Sequence, residues 1–529
     1  MVDGMRPQGV RGDAAKGKSS GQRLAALDIG TNSIRCIVVE ILEGGDYRVL
    51  DDEKATVRLG EGLAASGSIS TAAWERAAQA LKRMKQIADG LGAAHFVAVA
   101  TSAVRKAANG KAFVAAMAKD AGVEIEVIDG EQEAELAALS ARHHFDMAGS
   151  RYAMIDIGGG SVEMVTATGE HIEEIHSLEL GAVLLTERFI HGDPAPEKDL
   201  ARLRKHIRQS LKETLATPDF PVQCLIGSGG TLNAVGAMAM ALRKEAYGSV
   251  HGYEVLRSEV VHLLAMLERR DARERREIAG LSPERADIII AGVTLVDELM
   301  RFFGANLLRI NERGIREGLI LKSLDDLGLM EKREVRRDWR TVVQEFARSC
   351  HSDEGHAETV RDLSLQIFDG TAALHGLDER ARQLLEAAAL LHDVGYFIDY
   401  AKHHKHSYHL IRHAGLFGFT PREQEVVANL ARYHRKSLPK KKHDNFALLS
   451  AEDQQLVRQL GGILRLADGL DRCRSGNLER ITAELTGKTC TLRLAGKGDL
   501  GVELYGGQSK SDLFEEAFER KLVLALVKN

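Results

Sequence analysis

Asp28-Ile-Gly-Thr-Asn-Ser33 and Asp156-Ile-Gly-Gly-Gly-Ser161 are two spellings of one motif, and reading them together decides the fold. Leu24–Leu27 and Tyr152–Ile155 lead into the two motifs, and Ile34–Ile41 and Val162–Ala167 leave them, all as apolar runs of strand length. The pattern is strand, glycine turn, strand, written twice, which predicts two related subdomains facing one another. Working outward, Thr71–Leu91 has helical periodicity, while His95–Ala100 and Val123–Ile128 have the character of short buried strands. Strands alternating with helices predict an α/β architecture. A third glycine loop, Gly227-Ser-Gly-Gly-Thr231, also follows a strand-like run. Glycines let the backbone approach phosphate oxygens and turn N–H groups toward them, and serine and threonine hydroxyls add donors. An aspartate at a strand end would repel phosphate but can hold a divalent ion or a water.

With 529 residues the chain is too long for one hydrophobic core, so three or four domains are expected. The net charge of −5, from 71 basic and 76 acidic side chains, gives no global attraction for a polyanion. Such a ligand would have to meet a local basic surface. Five scattered cysteines without CxxC spacing argue against a disulfide framework and a zinc knuckle, and fit a reducing cytoplasm. No apolar run approaches the roughly 18 residues of a membrane span. Residues 1–22, rich in glycine, lysine, arginine and serine, have the composition of a disordered tail.

Beyond a charged stretch, Glu331–Asp338, periodicity is almost entirely helical to about Leu470, with Val360, Leu363 and Ile367 on one face and Leu384-Leu-Glu-Ala-Ala-Ala-Leu-Leu391 expected as a long buried helix. The final stretch alternates at Thr489–Leu494 and Leu500–Tyr505 before a last helix, as a small α+β unit would. The expected domains are therefore 23–145 and 146–327 for the repeated subdomains, 328–480 for a helical domain, and 481–529 for the α+β unit. The cluster Arg269, Arg270, Arg273, Arg275 and Arg276, interleaved with acids, is expected to form a surface helix.

The duplicated loop resembles the actin, Hsp70 and sugar-kinase superfamily. Within it the chain resembles the exopolyphosphatase/guanosine pentaphosphate phosphohydrolase (Ppx/GppA) family. The residues that carry this are Ala98–Arg105 with Asn109, Asp129-Gly-Glu-Gln-Glu-Ala134, Asp156–Glu163, Ser177-Leu-Glu-Leu-Gly-Ala182 with Leu185–Glu187, Gly227–Thr231, Arg285–Ile288 and Gly314–Gly318. The implied fold is two duplicated actin/Hsp70-like (ribonuclease H-like) α/β subdomains, then an all-α HD-like domain and the small C-terminal unit.

The resemblance also implies roles. Glu133 matches the general base that activates water, with Glu131 as the alternative because Glu-Gln-Glu replaces paired glutamates. Asp156 and Glu163 match residues that bind Mg²⁺ (or Mn²⁺) or position the water. Phosphate contacts are expected from Asp28, Gly30, Thr31, Asn32 and Ser33, from Thr101, Ser102 and Arg105, and from Gly158, Gly159, Gly160 and Ser161. The third loop adds Gly227, Ser228, Gly229, Gly230 and Thr231. Glu179 stands where the family usually has proline and Leu184 where it often has arginine, which implies loss of one peripheral phosphate contact.

Histidines cluster after residue 350. His356, His392-Asp393 and Asp468 follow the H…HD…D order of HD metal-phosphohydrolases, with His406 and His434 where two-metal members place further ligands. The expectation is a second divalent-metal site. Nearby Arg432, Arg435, Lys436, Lys440, Lys441 and Lys442 offer a positive path for a long polyphosphate. The resulting expectation is a Mg²⁺-dependent, processive exopolyphosphatase, cytoplasmic and homodimeric, with neither membrane nor DNA as partner. Guanosine pentaphosphate is the alternative substrate, with guanosine tetraphosphate a further possible ligand, and a non-catalytic phosphate or alarmone sensor is the alternative class.

Overall fold

The computed structural model describes residues 21–42, 46–147, 151–169, 171–215, 222–329 and 338–527. Residues 1–20 of the expected tail and nearly all of the charged stretch at 331–338 lie outside the described residues. The chain divides into two compact units, Met1–Asp129 with Ile315–Arg333, and Gly130–Gly314 with Glu334–Asn529.

In the first unit, β1 (Arg23–Ile29), β2 (Ile34–Ile41), β3 (Tyr47–Ala55), β4 (His95–Ala100) and β5 (Glu126–Val127) form one sheet in the order β3-β2-β1-β4-β5. β1 pairs antiparallel with β2 through the Asp28 loop and parallel with β4. The apolar run Val123–Ile128 supplies only two ladder residues, because β5 is an edge that touches β4 at Glu126 and Val127. The Thr71–Gly90 helix buries Ala73, Ala77, Leu81 and Met84 against the sheet core, one side chain per turn as its periodicity requires.

The second unit repeats the plan. β6 (Arg151–Ile157), β7 (Val162–Thr168), β8 (His171–Leu178), β9 (Cys224–Ser228), β10 (Glu254–Leu256) and β11 (Leu307–Asn311) lie in the order β10-β11-β9-β6-β7-β8. Again the loop strand β6 is antiparallel to the strand that follows it, β7, and parallel to β9. Asp28 faces Arg35 across its hairpin and Asp156 faces Glu163 across its own, the same position in both ladders. The sequence duplication is thus a duplication of strand register.

One helix belongs elsewhere than expected. Gly130–His144 lies within the second unit, where Ala134, Ala138, Ala141 and Phe145 pack with Tyr152, Met154 and Val165 of β6 and β7. The division therefore falls before this helix rather than at residue 145, since its small alanines fit only close over that sheet. Conversely, the Ile315–Asp326 helix returns to the first unit and packs on β1 and β2.

The helices from Trp339 onward bury a large core that takes in Val360, Leu363, Ile367 and every residue of Leu384–Leu391 but Glu386, which is bonded by Arg340. The three-stranded sheet of β12 (Leu478–Thr486), β13 (Thr489–Gly496) and β14 (Lys521–Leu526) shares that core through Ile481, Leu492, Leu494 and Leu522. Two expectations fail here. Leu500–Tyr505 lies in the Gly501–Gln508 helix and its cap rather than in a strand, because Leu500 and Leu504, four apart, both face the core. The last element is the strand β14, which pairs parallel with β13 as the edge of the sheet rather than forming a helix. Arg275 of the Ala272–Arg276 helix is only 3% exposed, bonded to Asp193 and to the carbonyls of Ala286 and Arg270, so it is a buried tie and not a surface charge. The five cysteines are all free thiols. Among the described residues no helix is long and apolar enough to cross a membrane.

Candidate active site and a histidine centre

The two Asp loops close by the same short bond. Gly30 N–H donates to the Ser33 carbonyl at 3.1 Å, and Gly158 N–H donates to the Ser161 carbonyl at 3.0 Å. In the first unit the loop is buttressed by Arg58 and Gly60, whose N–H groups donate to the carbonyls of Asn32 and Thr31 at 2.9 Å. Thr31, Ser33, Thr101 and Ser102 are buried. Among the described residues, Asp28 Oδ1 and Ser102 Oγ are buried atoms without a hydrogen-bond partner. Burial raises the Asp28 pKa, opposed by the charges of Arg35 and Arg316. Arg105, expected to clasp phosphate, donates to the Ile128 carbonyl at 2.6 Å.

The second unit gathers the carboxylates. Glu133, in the first turn of the Gly130–His144 helix, is 4% exposed, Asp156 7% and Glu163 2%, whereas Glu131 projects to solvent. The helix turn thus separates the two alternatives for the base, placing Glu133 inside and Glu131 outside. Asp156 and Glu163 are cross-strand partners. The same ladder row extends to Ser177 on β8, to Ser228 on β9 and to Asn311 on β11. Asp156 and Glu163 also border a cavity of about 10 Å³ beneath the Gly130–His144 helix, lined further by Ser228, Asn311 and four alanines, room for at most about one water.

Glycines crowd this row. A Cβ at Gly229 (φ +99°) would fall 2.9 Å from Asp156 Oδ1, and one at Gly314 would fall 3.5 Å from Asp156 Oδ2. Side chains there would fill the space in front of the carboxylate, so the cradle and its hard oxygen donors suit a small divalent cation. The Gly159 carbonyl accepts from Val183 at 2.9 Å and Leu184 at 3.0 Å, so the second loop is seated on the start of the Ala182–Phe189 helix. The third loop opens the Gly230–Leu242 helix, and the Arg285 guanidinium lies directly against Gly230. Thr231, expected as a phosphate donor, is instead buried against Gly292.

The helical body holds a second concentration of ligands. Asp393 sits between two histidine pairs: its Oδ2 is 3.7 Å from His392 Nε2 and 3.9 Å from His356 Nε2, its Oδ1 3.1 Å from His403 Nε2 and 3.6 Å from His434 Nε2. Asp468 Oδ1 lies 3.5 Å from His356 Nε2 and 3.9 Å from His392 Nε2. Every imidazole is fixed from behind. Nδ1 faces an oxygen in each: Asp471 Oδ2 at 2.7 Å for His356, and the carbonyls of Ala389 at 2.7 Å, Tyr400 at 3.1 Å and Ala431 at 2.6 Å for His392, His403 and His434. That outer shell orients the rings and aims four Nε2 atoms inward. Among the described residues His392 Nε2 is buried without a hydrogen-bond partner. Two overlapping ligand sets result, His356/His392/Asp393 and Asp393/His403/His434. Burial works against a charged His356, yet its bonds to Asp468 and Asp471 prevail and lift its pKa to about 9.

His406 does not join them. In the His403–Arg412 helix the inward face carries His403 and Ser407, the latter bonding the His392 carbonyl and the Gly395 N–H, and His406 is turned aside. The helical period of 3.6 would have favoured His403 had Ser407 been recognised as buried. Asp471, three residues after Asp468, shares its helical face and was legible in the same way. Lys510 of the C-terminal unit pairs with Asp468, and Arg474, in the loop after the Ala451–Leu470 helix, bonds Asp393 Oδ2 at 3.1 Å, contacts that no spacing announces. Of the expected polyphosphate path, Lys436, Lys440, Lys441 and Lys442 are exposed, whereas Arg432 leans on the Tyr408 and Tyr433 rings and Arg435 on His403.

Known proteins share these features. The profile of the Ppx/GppA phosphatase family matches residues 37–327, and that of Ppx/GppA phosphatase, domain III matches residues 337–500. Exopolyphosphatase 1 of Mycobacterium tuberculosis is 32% identical over 332 residues, 60% of this chain and 94% of the relative. Its Mycobacterium leprae counterpart is 32% identical over 311 residues, 57% of this chain and 90% of the relative. Among solved structures, an exopolyphosphatase from Cytophaga hutchinsonii is 28% identical with a TM-score of 0.55, covering 58% of this chain and 98% of that one. The Aquifex aeolicus Ppx/GppA family member is 26% identical with a TM-score of 0.51, at 58% and 98% coverage.

Proposed function

The chain belongs to the Ppx/GppA phosphatase family, and from that premise we propose that it is an exopolyphosphatase, releasing orthophosphate from the end of inorganic polyphosphate. The observation that carries the site assignment is the buried row of Asp156 and Glu163 with Glu133 inside the adjoining helix turn. Glu133 accepts the proton of a water whose oxygen attacks the terminal phosphorus. The phosphorus–oxygen bond to the rest of the chain breaks, and the bridging oxygen leaves with the shortened polyphosphate. Glycine N–H groups of the second and third loops and the Arg285 guanidinium beside Gly230 orient the terminal phosphate. Mg²⁺ or Mn²⁺ on Asp156 and Glu163 would neutralise charge on the leaving chain when bound. Orthophosphate release from polyphosphate by wild type, Glu133→Ala and Glu131→Ala tests this. Loss of about a hundredfold or more in Glu133→Ala alone is expected. No release by wild type from polyphosphate or guanosine pentaphosphate would leave the sensor reading. Release from the nucleotide alone would make that the substrate.

A second reading concerns the histidine centre. Four imidazoles held at Nδ1 and presenting Nε2 to two carboxylates support a divalent-metal site in the helical body. His356, His392, His403, His434, Asp393 and Asp468 would hold the metal, which would supply Lewis acidity there. Metal analysis of protein purified without chelator is expected to find at least about one equivalent per chain, and less than about a tenth would end this reading. Processivity along Lys436 and Lys440–Lys442, a homodimer and a cytoplasmic location complete the proposal, the dimer to be tested by light scattering.

A further inference from the structure

The row that holds Asp156 and Glu163 ends on a residue with no assigned role. Ser177 is the cross-strand partner of Glu163, and its Oγ donates to Glu163 Oε1 at 2.9 Å. On its other side Ser177 meets Gly130, the first residue of the helix that carries Glu133. A Cβ on Gly130 would overlap the Cβ and Oγ of Ser177, so backbone and side chain touch directly. One residue therefore grips a carboxylate on the sheet and the helix start three residues before Glu133.

We propose that Ser177 is a positioning residue: its hydroxyl fixes the Glu163 carboxylate while its Cβ sets the seat of the helix that bears Glu133. The inference rests on the reading of Glu163 and Glu133 as the hydrolytic carboxylates. Glu163 is a flexible, charged side chain with several rotamers to choose among, and a charge-assisted bond from a strand residue selects one. Ser177 is the penultimate residue of β8, and the antiparallel ladder pairs its backbone with Glu163, next to the Val162–Leu178 pair. The glycine at 130 is then explained by contact distance: only a residue without a side chain admits the serine. Partners of this outer kind are commonly worth about ten- to a hundredfold in activity or metal affinity.

Packing and hydroxyl can be separated experimentally. Ser177→Ala keeps the Cβ against Gly130 and deletes the donor. Gly130→Ala/Ser177→Gly moves the Cβ to the other partner, where its nearest former neighbour is the residue 177 Cα at 3.8 Å, an ordinary contact. Orthophosphate release at saturating polyphosphate is expected to fall about tenfold or more in both variants. KM for polyphosphate should stay within about twofold and thermal midpoints near wild type, while the Mg²⁺ concentration for half-maximal rate rises. Full turnover by Ser177→Ala, or restoration of turnover by the double variant, would overturn the role of the hydroxyl. Glu163→Ala separates the two failures. If it is inactive while Ser177→Ala is not, only this inference falls. If Glu163→Ala turns over normally, the assignment of Glu163 falls with it.

Discussion

Gly229→Ala would strike the candidate active site at a point where the structure fixes the size of the damage. Gly229 has φ +99°, a region that L-residues avoid, at a cost of about 1–2 kcal/mol. Its Cβ would lie 2.5 Å from the Ile157 carbonyl oxygen and 2.9 Å from Asp156 Oδ1. A comfortable carbon–oxygen contact is about 3.3 Å, so the loop, the end of β6 or the carboxylate must yield by roughly 0.8 Å. The Ile157 oxygen is backbone and cannot rotate away, so part of the movement must come from the strand end that carries Asp156. Overpacking of this kind costs about 1–3 kcal/mol of stability, and displacement of reacting groups by about 1 Å costs about a hundredfold in rate. The expected outcome is kcat/KM for polyphosphate lowered by about a hundredfold while the protein remains folded. Gly169→Ala is the control, with φ +59° but nothing within 4 Å of its Cβ, so it tests strain without collision. Orthophosphate release with circular dichroism and thermal melts would measure both. A Gly229→Ala enzyme within about threefold of wild type would refute the argument that this glycine exists to leave space before Asp156.

Other expectations follow from single residues. His403→Ala should abolish metal retention by the helical body whereas His406→Ala should leave it intact, since of these two residues His403 has its Nε2 beside Asp393 and His406 is in neither ligand set, and metal analysis of both variants decides it. Lys440→Gln/Lys441→Gln/Lys442→Gln should raise KM for long polyphosphate about tenfold, at about 0.5 kcal/mol per exposed charge, with little effect on short chains. Equal effects on both lengths would exclude the lysine path. His251 has its pKa lowered from 6.5 to about 3 by burial and, to a lesser degree, by the charge of Arg313. Below pH 6.5 the unfolded chain binds a proton at this residue that the fold refuses, so stability contributed by neutral His251 falls as pH drops from 6.5 toward about 3. Denaturation midpoints between about pH 7 and about pH 4.5 should therefore decline less in His251→Phe than in wild type, and parallel slopes would contradict this.

Much of the molecule was legible before any coordinates. Apolar runs flanking Asp28 and Asp156 are one-dimensional signals, and strand pairing across a short glycine turn is a local event. The duplicated hairpins therefore follow from sequence, down to the residue that opens each turn. Motif order likewise singled out Glu133, Asp156 and Glu163, and the fold buries all three. The final segment misled because six residues fit either period, and only burial of Leu500 and Leu504 on one core selects a helix.

What tertiary structure alone decided are relations between residues far apart in the chain. Sequence put Glu133 first and kept Glu131 as the alternative, and the turn of one helix over the second sheet buried only Glu133. Sequence supplied His406, and the packing of Ser407 beneath His392 turned His403 inward instead. Ser177 was visible only as a letter in a motif. Its hold on Glu163 exists because two strands stand in register, and its contact with Gly130 because a helix begins where a side chain would not fit. Composition and period fix which elements form. Which side chains meet is set by register and close packing, and those are properties of the folded chain.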